Sequence, residues 1–379
     1  MALKGLNVLE FSGLLPVPYC GMVLAEFGAS VIRLDKIGSN TNLDCLGNGK
    51  KSISVNIKHP EGYKVIKSLS QQVDILIEPF RKGVMEKLGL GPDVLMKDNP
   101  KLIYARLTGY GQTGDFSKNA GHDINYVALS GLLSLFGRYG DNPLPPVNVL
   151  ADIGGGGIAC TLGILLALIE RSKSGKGQIV DSNMVEGTAY LGTWLYRGKN
   201  TLPIWGQERG KNVLDSGTHF YEVYKTKDGK YMSVGALEPQ FYDQLIAGLG
   251  LNIEETPQYG DFDKMKKIFK RKFSEKTRDE WCAIFDSTDA CVAPVLTLEE
   301  APQHPHNVQQ KTFTKTKDFY SPNPHPKLNR TPGVSLSNEP LPQIGQHTKE
   351  ILINLGYSSE KIKELENEGV VKCNKHSKL

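Results

Sequence analysis

Between residues 5 and 109 the chain alternates two textures, and that alternation restricts the fold more than any other feature. Runs such as VDILIEPF (73–80) and KLIYARLTG (101–109) are almost continuously apolar. GLNVLEFSG (5–13), SVIRLD (30–35) and KSISVNI (51–57) repeat the pattern at intervals. Between them lie helical stretches: small-residue PYCGMVLAEFGA after the first, and one opening at Pro60-Glu61 after the third. Strands that are apolar on both faces must be covered on both. Strands separated by helices return in the same direction, so an α/β fold with a parallel sheet between helical layers is expected.

The second half reads differently. From about 150 to 195 the pattern gives a long helix, a strand (GQIVDSN) and a further helix (MVEGTAYLG). Residues 196–219 have little periodicity and read as a linker. YEVYKTKDGKYMSVGAL then forms a β-hairpin with Asp228-Gly229 at its turn, followed by amphipathic basic helices such as FDKMKKIFKRKF. That predicts a smaller α+β domain over 220–315. The proline-rich YSPNPHPKLNRTPG suggests a second extended connection over 316–335, and residues 336–379 contain a helical hairpin. With 379 residues, a chain of more than one domain is expected.

A net charge of +4 does not suggest a nucleic-acid binder, but clustered cations would suit a small anionic ligand. Six well-separated cysteines without a CxxC pair argue for free thiols in a reducing compartment. The N-terminus enters a strand pattern at once, with no signal-peptide core, and the apolar run IACTLGILLALI (158–169) is short for a bilayer span, so no membrane span is expected. The sequence closes on Ser377-Lys378-Leu379, an address read by the peroxisomal import receptor, so a peroxisomal location is expected.

Four features carry possible chemistry. GYGQTG (109–114) matches a dinucleotide-binding pattern, but polar, Gly-broken sequence follows where such a site needs a helix opening, so it reads as a loop beside a site. Asp152 heads an apolar helix and caps well. The four glycines after it, each costing about 0.8–1 kcal/mol against alanine, imply that something needs the backbone bare, such as a ligand or another chain. His122 stands at a helix entrance, with Asp123 as its cap or as a neighbour of a general base whose neutral form the helix dipole favours. Glu238 sits between a strand and a helix opening with Pro239, where an acid commonly only complements the dipole. Cations gather at predicted strand ends: Arg33, Lys36, Lys58, Arg81, Lys82 and Lys87, with Lys50 and Lys51 near the third strand. Carboxyl ends of parallel strands are where α/β sheets bind ligands, here a multiply phosphorylated small molecule. His304-Pro-His306 lacks a third ligand at metal spacing, so no metal site is expected.

GHDINYVALSG, ADIGGGG, EPFRKGVMEKLGLGP, RLTGYGQTG, GKGQIVDSNMVEGTAYL and GALEPQFY together resemble the family III CoA-transferase and racemase group (the CaiB-BaiF group), over nearly the whole chain. The resemblance implies a Rossmann-like large domain completed by the C-terminal segment, a small domain on two long linkers, and an interlocked homodimer. Its active site would lie between the large domain of one subunit and the small domain of the other, with Glu238 against His122 of the partner. CoA would be held by Arg33, Lys36, Val55, Asn56, Ile57, Lys58, Phe80, Arg81 and Lys87, with Gly121, His122, Asp123, Ile124, Asn125 and Tyr126. Relatives lead one to expect arginine at Lys36; lysine keeps the charge but loses the bidentate fork.

Transferases of the group use the aspartate matching Asp152 as nucleophile and lack the histidine, whereas racemases carry both. The implied activity is therefore interconversion of (R)- and (S)-2-methylacyl-CoA esters by 1,1-proton transfer through an enolate, with His122 and Asp152 as opposed bases, the Asp123 N–H on the oxyanion and no cofactor. It would serve branched-chain fatty acid and bile acid side-chain oxidation, in peroxisomes and also in mitochondria as in relatives. The alternatives are a CoA-transferase acting through Asp152 and a non-catalytic acyl-CoA carrier.

Overall fold

Strands of the expected kind form where the apolar runs lie: β1 (Asn7–Phe11), β2 (Ser30–Asp35), β3 (Lys51–Val55), β4 (Ile75–Glu78), β5 (Ile103–Thr108) and β6 (Ile179–Asn183). The computed structural model describes residues 1–38 and 44–374, so the Ser377-Lys378-Leu379 address lies outside the described residues. The chain divides into two compact units. The first comprises Met1–Ser130, Val147–Leu191 and His306–Leu379; the second comprises Gly131–Pro146 and Gly192–Pro305.

In the first unit the six strands are parallel and ordered β3-β2-β1-β4-β5-β6, the doubly wound order that reverses between β1 and β4. Every residue of β4 and β5 is buried, which is why their sequences carry no polar alternation. The helices of the N-terminal part are α1 (Pro16–Glu26), α2 (Pro60–Gln72), α3 (Val84–Lys87), α4 (Pro92–Asp98), α5 (Asp123–Leu129), α6 (Ala159–Ser174) and α7 (Met184–Leu191). On one face of the sheet Val17, Cys20 and Leu24 of α1 meet Cys160, Ile164 and Ala167 of α6. The other face is covered by Val65, Ile66 and Leu69 of α2 and by the C-terminal segment, through Ile351, Leu352, Ile362 and Leu365.

The helix rod preceding β6 is longer than its sequence core suggests. A wide π-type turn, Val149–Ile158, runs directly into α6, giving 26 continuous residues long and apolar enough by length and composition to cross a membrane. One side of α6 is buried in the sheet core, while Ile158, Leu162, Leu166 and Ile169 form an exposed apolar stripe at helical spacing.

The second unit contains helix α8 (Thr193–Gly198) and a three-stranded antiparallel sheet, β7 (Tyr221–Lys225), β8 (Tyr231–Gly235) and β9 (Val292–Pro294), with Gly229 at the β7–β8 turn in the left-handed conformation. Helices α9 (Pro239–Leu249), α10 (Phe262–Phe273) and α11 (Arg278–Phe285) cover it. Met265, Phe269 and Phe273 are the buried face of α10, and its lysines are mainly on the other. The division departs from the sequence boundaries. Residues 131–146 belong to this unit, where Arg138 grips the buried Glu222 with two bonds of 2.7 and 2.9 Å. The stretch expected as a plain linker is ordered around the buried Asn212, whose side chain bonds Gln207, Glu208 and Asp215.

The chain re-enters the first unit at His306, ten residues before the expected connection at 316. It passes the short helix α12 (Pro305–Gln309) at the boundary and the ribbon β10 (Phe313–Lys315) with β11 (Tyr320–Pro322). Helices α13 (Thr348–Asn354) and α14 (Ser359–Asn367) follow, and β12 (Val371–Lys372) closes the large sheet antiparallel to β3.

Candidate active site

The carboxyl ends of β1, β2, β3 and β4 converge at the point where the strand order reverses. Phe11 and Ser12, Leu34–Ile37, Val55–Lys58 and Phe80 line a cleft there with Val84, Lys87 and Leu88 from the α3 region; its volume is about 650 Å³. That is ample for a cofactor-sized ligand. Lys36, Val55, Asn56, Ile57, Lys58, Phe80 and Lys87 thus line one cleft, and the three lysines are exposed. Glu78 braces the wall. It accepts the Phe80 N–H at 2.7 Å and an Arg106 bond at 2.8 Å, and burial pushes its carboxyl up to about 7 against the pull of both.

Arg33 corrects the sequence reading. It is 1% exposed, and its guanidinium is held by Asp35 at 3.0 Å and Asp44 at 2.9 Å. A buried fork held by two carboxylates is not presented to a phosphate, and Arg33 is not among the residues that line the cleft. The signal was in the sequence: residues i and i+2 of a strand share a face, which sets Asp35 beside Arg33.

A second cleft, about 190 Å³, lies beside the β4 and β5 ends, lined by Pro16, Arg81, Gly109, Tyr110, Gly121, Tyr126 and Met184 among others. The GYGQTG segment forms part of its wall. Gly109 and Gly121 are glycines because the Tyr126 ring lies against them: a Cβ would stand 2.4 and 2.7 Å from it. The Tyr126 hydroxyl donates to the Gly121 carbonyl at 2.5 Å, and Tyr110 packs edge-on at 5.0 Å.

Tyr126 also leads to the candidate bases. It belongs to α5, whose N-cap is His122 and not Asp123; the His122 N–H donates to Asn125 Oδ1 at 3.0 Å. His122, Ile124 and Asn125 are exposed, and Asp123 is buried. The Asp123 carboxylate crosses to the π turn, accepting the Ala151 and Asp152 N–H groups at 2.8 and 2.9 Å. Asp152 is half-buried. Burial, and then the Asp123 charge, push its carboxyl up to about 6, while an Asn148 hydrogen bond and the charge of His122 pull it back. Tyr126 feels the Asp152 charge too, its phenol pushed up to about 12 chiefly by burial. His122, Asp123, Tyr126 and Asp152 therefore form one electrostatic cluster beside the smaller cleft, though His122 and Asp152 do not line it.

The glycines after Asp152 have an explanation other than ligand approach. At Gly155 a Cβ would meet Thr188 Oγ1 at 2.5 Å, and at Gly187 it would meet the Gly155 carbonyl at 1.9 Å. At Gly157 the obstacle is Tyr19 of α1, at 2.9 Å. The bare backbone lets α1 and α7 close on the turn that carries Asp152. Wide turns of this kind are rare and concentrate at functional sites.

In the second unit Glu238 is the exposed N-cap of α9, with no capping bond from its side chain. Sequence reasoning missed Asn148, Tyr110, Met184 and Glu78, which carry no motif and enter through tertiary contact. Among the described residues no cluster of three metal-ligating side chains occurs.

Residues 3–348 match the profile of CoA-transferase family III. An α-methylacyl-CoA racemase from Mus musculus is 53% identical over 379 residues, covering 99% of each chain. One from Homo sapiens is 52% identical over 380 residues, again covering 99% of each. A CAIB/BAIF family protein from Brucella suis shares the fold, with a TM-score of 0.79 at 22% identity, over 93% of this chain and 99% of its own.

Proposed function

Because the chain belongs to CoA-transferase family III, we propose that it interconverts the R and S epimers of 2-methylacyl-CoA esters by moving one proton through an enolate. It is an isomerase: its nearly full-length identity is to racemases of that substrate class. The observation that carries the mechanism is the joining of His122 and Asp152 into one cluster through the Asp123 carboxylate.

The CoA moiety occupies the lysine-rimmed cleft, with Lys36, Lys58 and Lys87 toward its phosphates and Val55–Lys58 and Phe80 along its walls; Arg81 meets the ligand in the smaller cleft. His122 removes the α-proton of the S ester, the C–H electrons passing into the enolate. Asp152 donates its proton to the opposite face of the same carbon. In the reverse direction the carboxylate abstracts and the imidazolium donates. A carboxyl near 6 can serve in both forms around neutrality, whereas the Tyr126 phenol stays protonated.

Acid–base catalysis of this kind contributes about 10²–10⁴-fold. The enolate oxygen needs a donor as well, worth about 3–4 kcal/mol in comparable oxyanion holes. The Asp123 N–H, a first-turn donor of α5 with no partner within its own helix, supplies it. The thioester itself acidifies the proton, so no redox cofactor is required.

His122 is exposed on this chain, and Glu238 of a second copy completes the site by orienting it. The exposed stripe of α6 is an apolar surface suited to such a homodimer. The protein works in peroxisomes, brought there by the import receptor through Ser377-Lys378-Leu379, and serves branched-chain fatty acid and bile acid side-chain oxidation.

Incubation with a 2-methylacyl-CoA ester in D₂O tests the reading. Exchange of the α-hydrogen together with loss of optical purity is expected. Transfer of CoA to a free acid without exchange would replace the racemase with a transferase acting through Asp152, and binding without either would leave only a carrier.

A further inference from the structure

The Asp123 side chain is turned away from its own helix. It is buried, one oxygen accepts both the Ala151 and the Asp152 N–H, and the other has no hydrogen-bond partner among the described residues. Clamping two backbone donors takes a single oxygen, and a neutral amide would provide it. Leaving a buried acceptor unsatisfied costs about 1–3 kcal/mol, more when it is charged. The backbone clamp therefore accounts for the shape of this side chain but not for its charge.

The charge has one evident recipient. We infer that Asp123 is a positioning residue for Asp152: its carboxylate fixes the backbone of the π turn and sets a negative charge beside the Asp152 side chain, disfavouring a second carboxylate there. This rests on the racemase reading, since only a group that must deliver a proton gains from it.

The surroundings leave Asp123 little competition. His122, from the same segment, acts on Asp152 in the opposite sense, and Asn148 donates a hydrogen bond to it. Tyr126 of α5 remains a neutral phenol. Tyr19 of α1, packed on Gly157, has its phenol pushed up by burial, and Glu186 of α7 acts on Asp181.

The sign follows directly. A neighbouring negative charge raises a carboxyl pKa, so removing it lowers the Asp152 value. Asp123→Asn keeps an oxygen for the two N–H groups and removes the charge. Two readouts are taken on the full-length protein: ¹³C-carboxyl titration of Asp152 without substrate, assigned with Asp152→Asn, and the pH profile of α-proton exchange from the R ester, whose proton the Asp152 carboxylate abstracts. In the folded variant both the Asp152 titration and the exchange limb that tracks it should move down by about one pH unit. A titration unmoved in folded Asp123→Asn, with exchange intact in the wild type, overturns the inference. Absence of exchange in the wild type instead overturns the racemase reading. If the amide variant does not fold, Asp123→Ser retains an acceptor without charge and the same titration decides.

Discussion

Two buried carboxylates of the first unit, Glu10 in the sheet and Asp123 on α5, show how one unit treats charge in opposite ways. Glu10, wholly buried in β1, is met by Lys50 at 2.8 and 3.1 Å, and Lys50 also donates to the Pro18 carbonyl at 2.9 Å. Burial pushes the Glu10 carboxyl up, and the ion pair with Lys50 pulls it part of the way back, so the desolvation is offset in part on the spot. Asp123 is met by two backbone N–H groups and stands beside a second aspartate. An ion pair of this kind braces strand, helix and loop. Two like charges held together work against the fold, and such arrangements gather where a pKa must be tuned. The first region is architecture; the second is chemistry.

The sharpest way to break this contrast is to expose the architectural pair. Lys50→Ala leaves a buried, unpaired carboxylate and should cost about 3–5 kcal/mol in urea unfolding. A loss below 1 kcal/mol would mean that Glu10 is held by something other than Lys50. Next is the turn that carries Asp152. Gly155→Ala forces a methyl against Thr188 and should cost about 1–3 kcal/mol while displacing Asp152 enough to slow exchange. A stable variant with full activity would show that the tight seating of the turn is irrelevant to the site.

His219 in the second unit sharpens the contrast from outside, as a buried titrating group with no chemical task. It is fully buried, its Nε2 lies 2.7 Å from the Tyr242 hydroxyl, and burial with the Lys266 charge lowers its pKa to about 4. The native state therefore resists protonation that the unfolded chain accepts below about 6.5. This group takes stability away as pH falls from about 6.5 to 4, by roughly 2 kcal/mol at pH 5. His219→Phe should flatten that part of the pH dependence by the same amount and leave proton exchange unchanged; equal slopes in the two proteins would refute the assignment.

How far the sequence could be read follows the range of the interactions. The parallel strands and the lysine-rimmed cleft were legible because apolar runs mark the strands and their ends mark the cleft. For Arg33 the strand register records one partner, Asp35, while the second, Asp44, lies beyond the strand where no local pattern records it. The purpose of the glycine run was hidden for the same reason: Thr188 and Gly187 meet it only after α7 has folded back. The Asp123 clamp spans 28 and 29 residues, and no periodicity connects its ends. Residues 131–146 joined the second unit through Arg138 and Glu222, a pairing that no local pattern records.

The central claim is that His122 and Asp152 face one carbon from opposite sides, and stereochemically resolved exchange in D₂O tests it most directly. In His122→Ala, exchange from the S ester should fall about 10²–10⁴-fold while exchange from the R ester persists. Asp152→Ala should reverse that selectivity, and neither variant should racemise. Equal loss from both epimers in each variant, or racemisation surviving in either, would contradict the two-base arrangement.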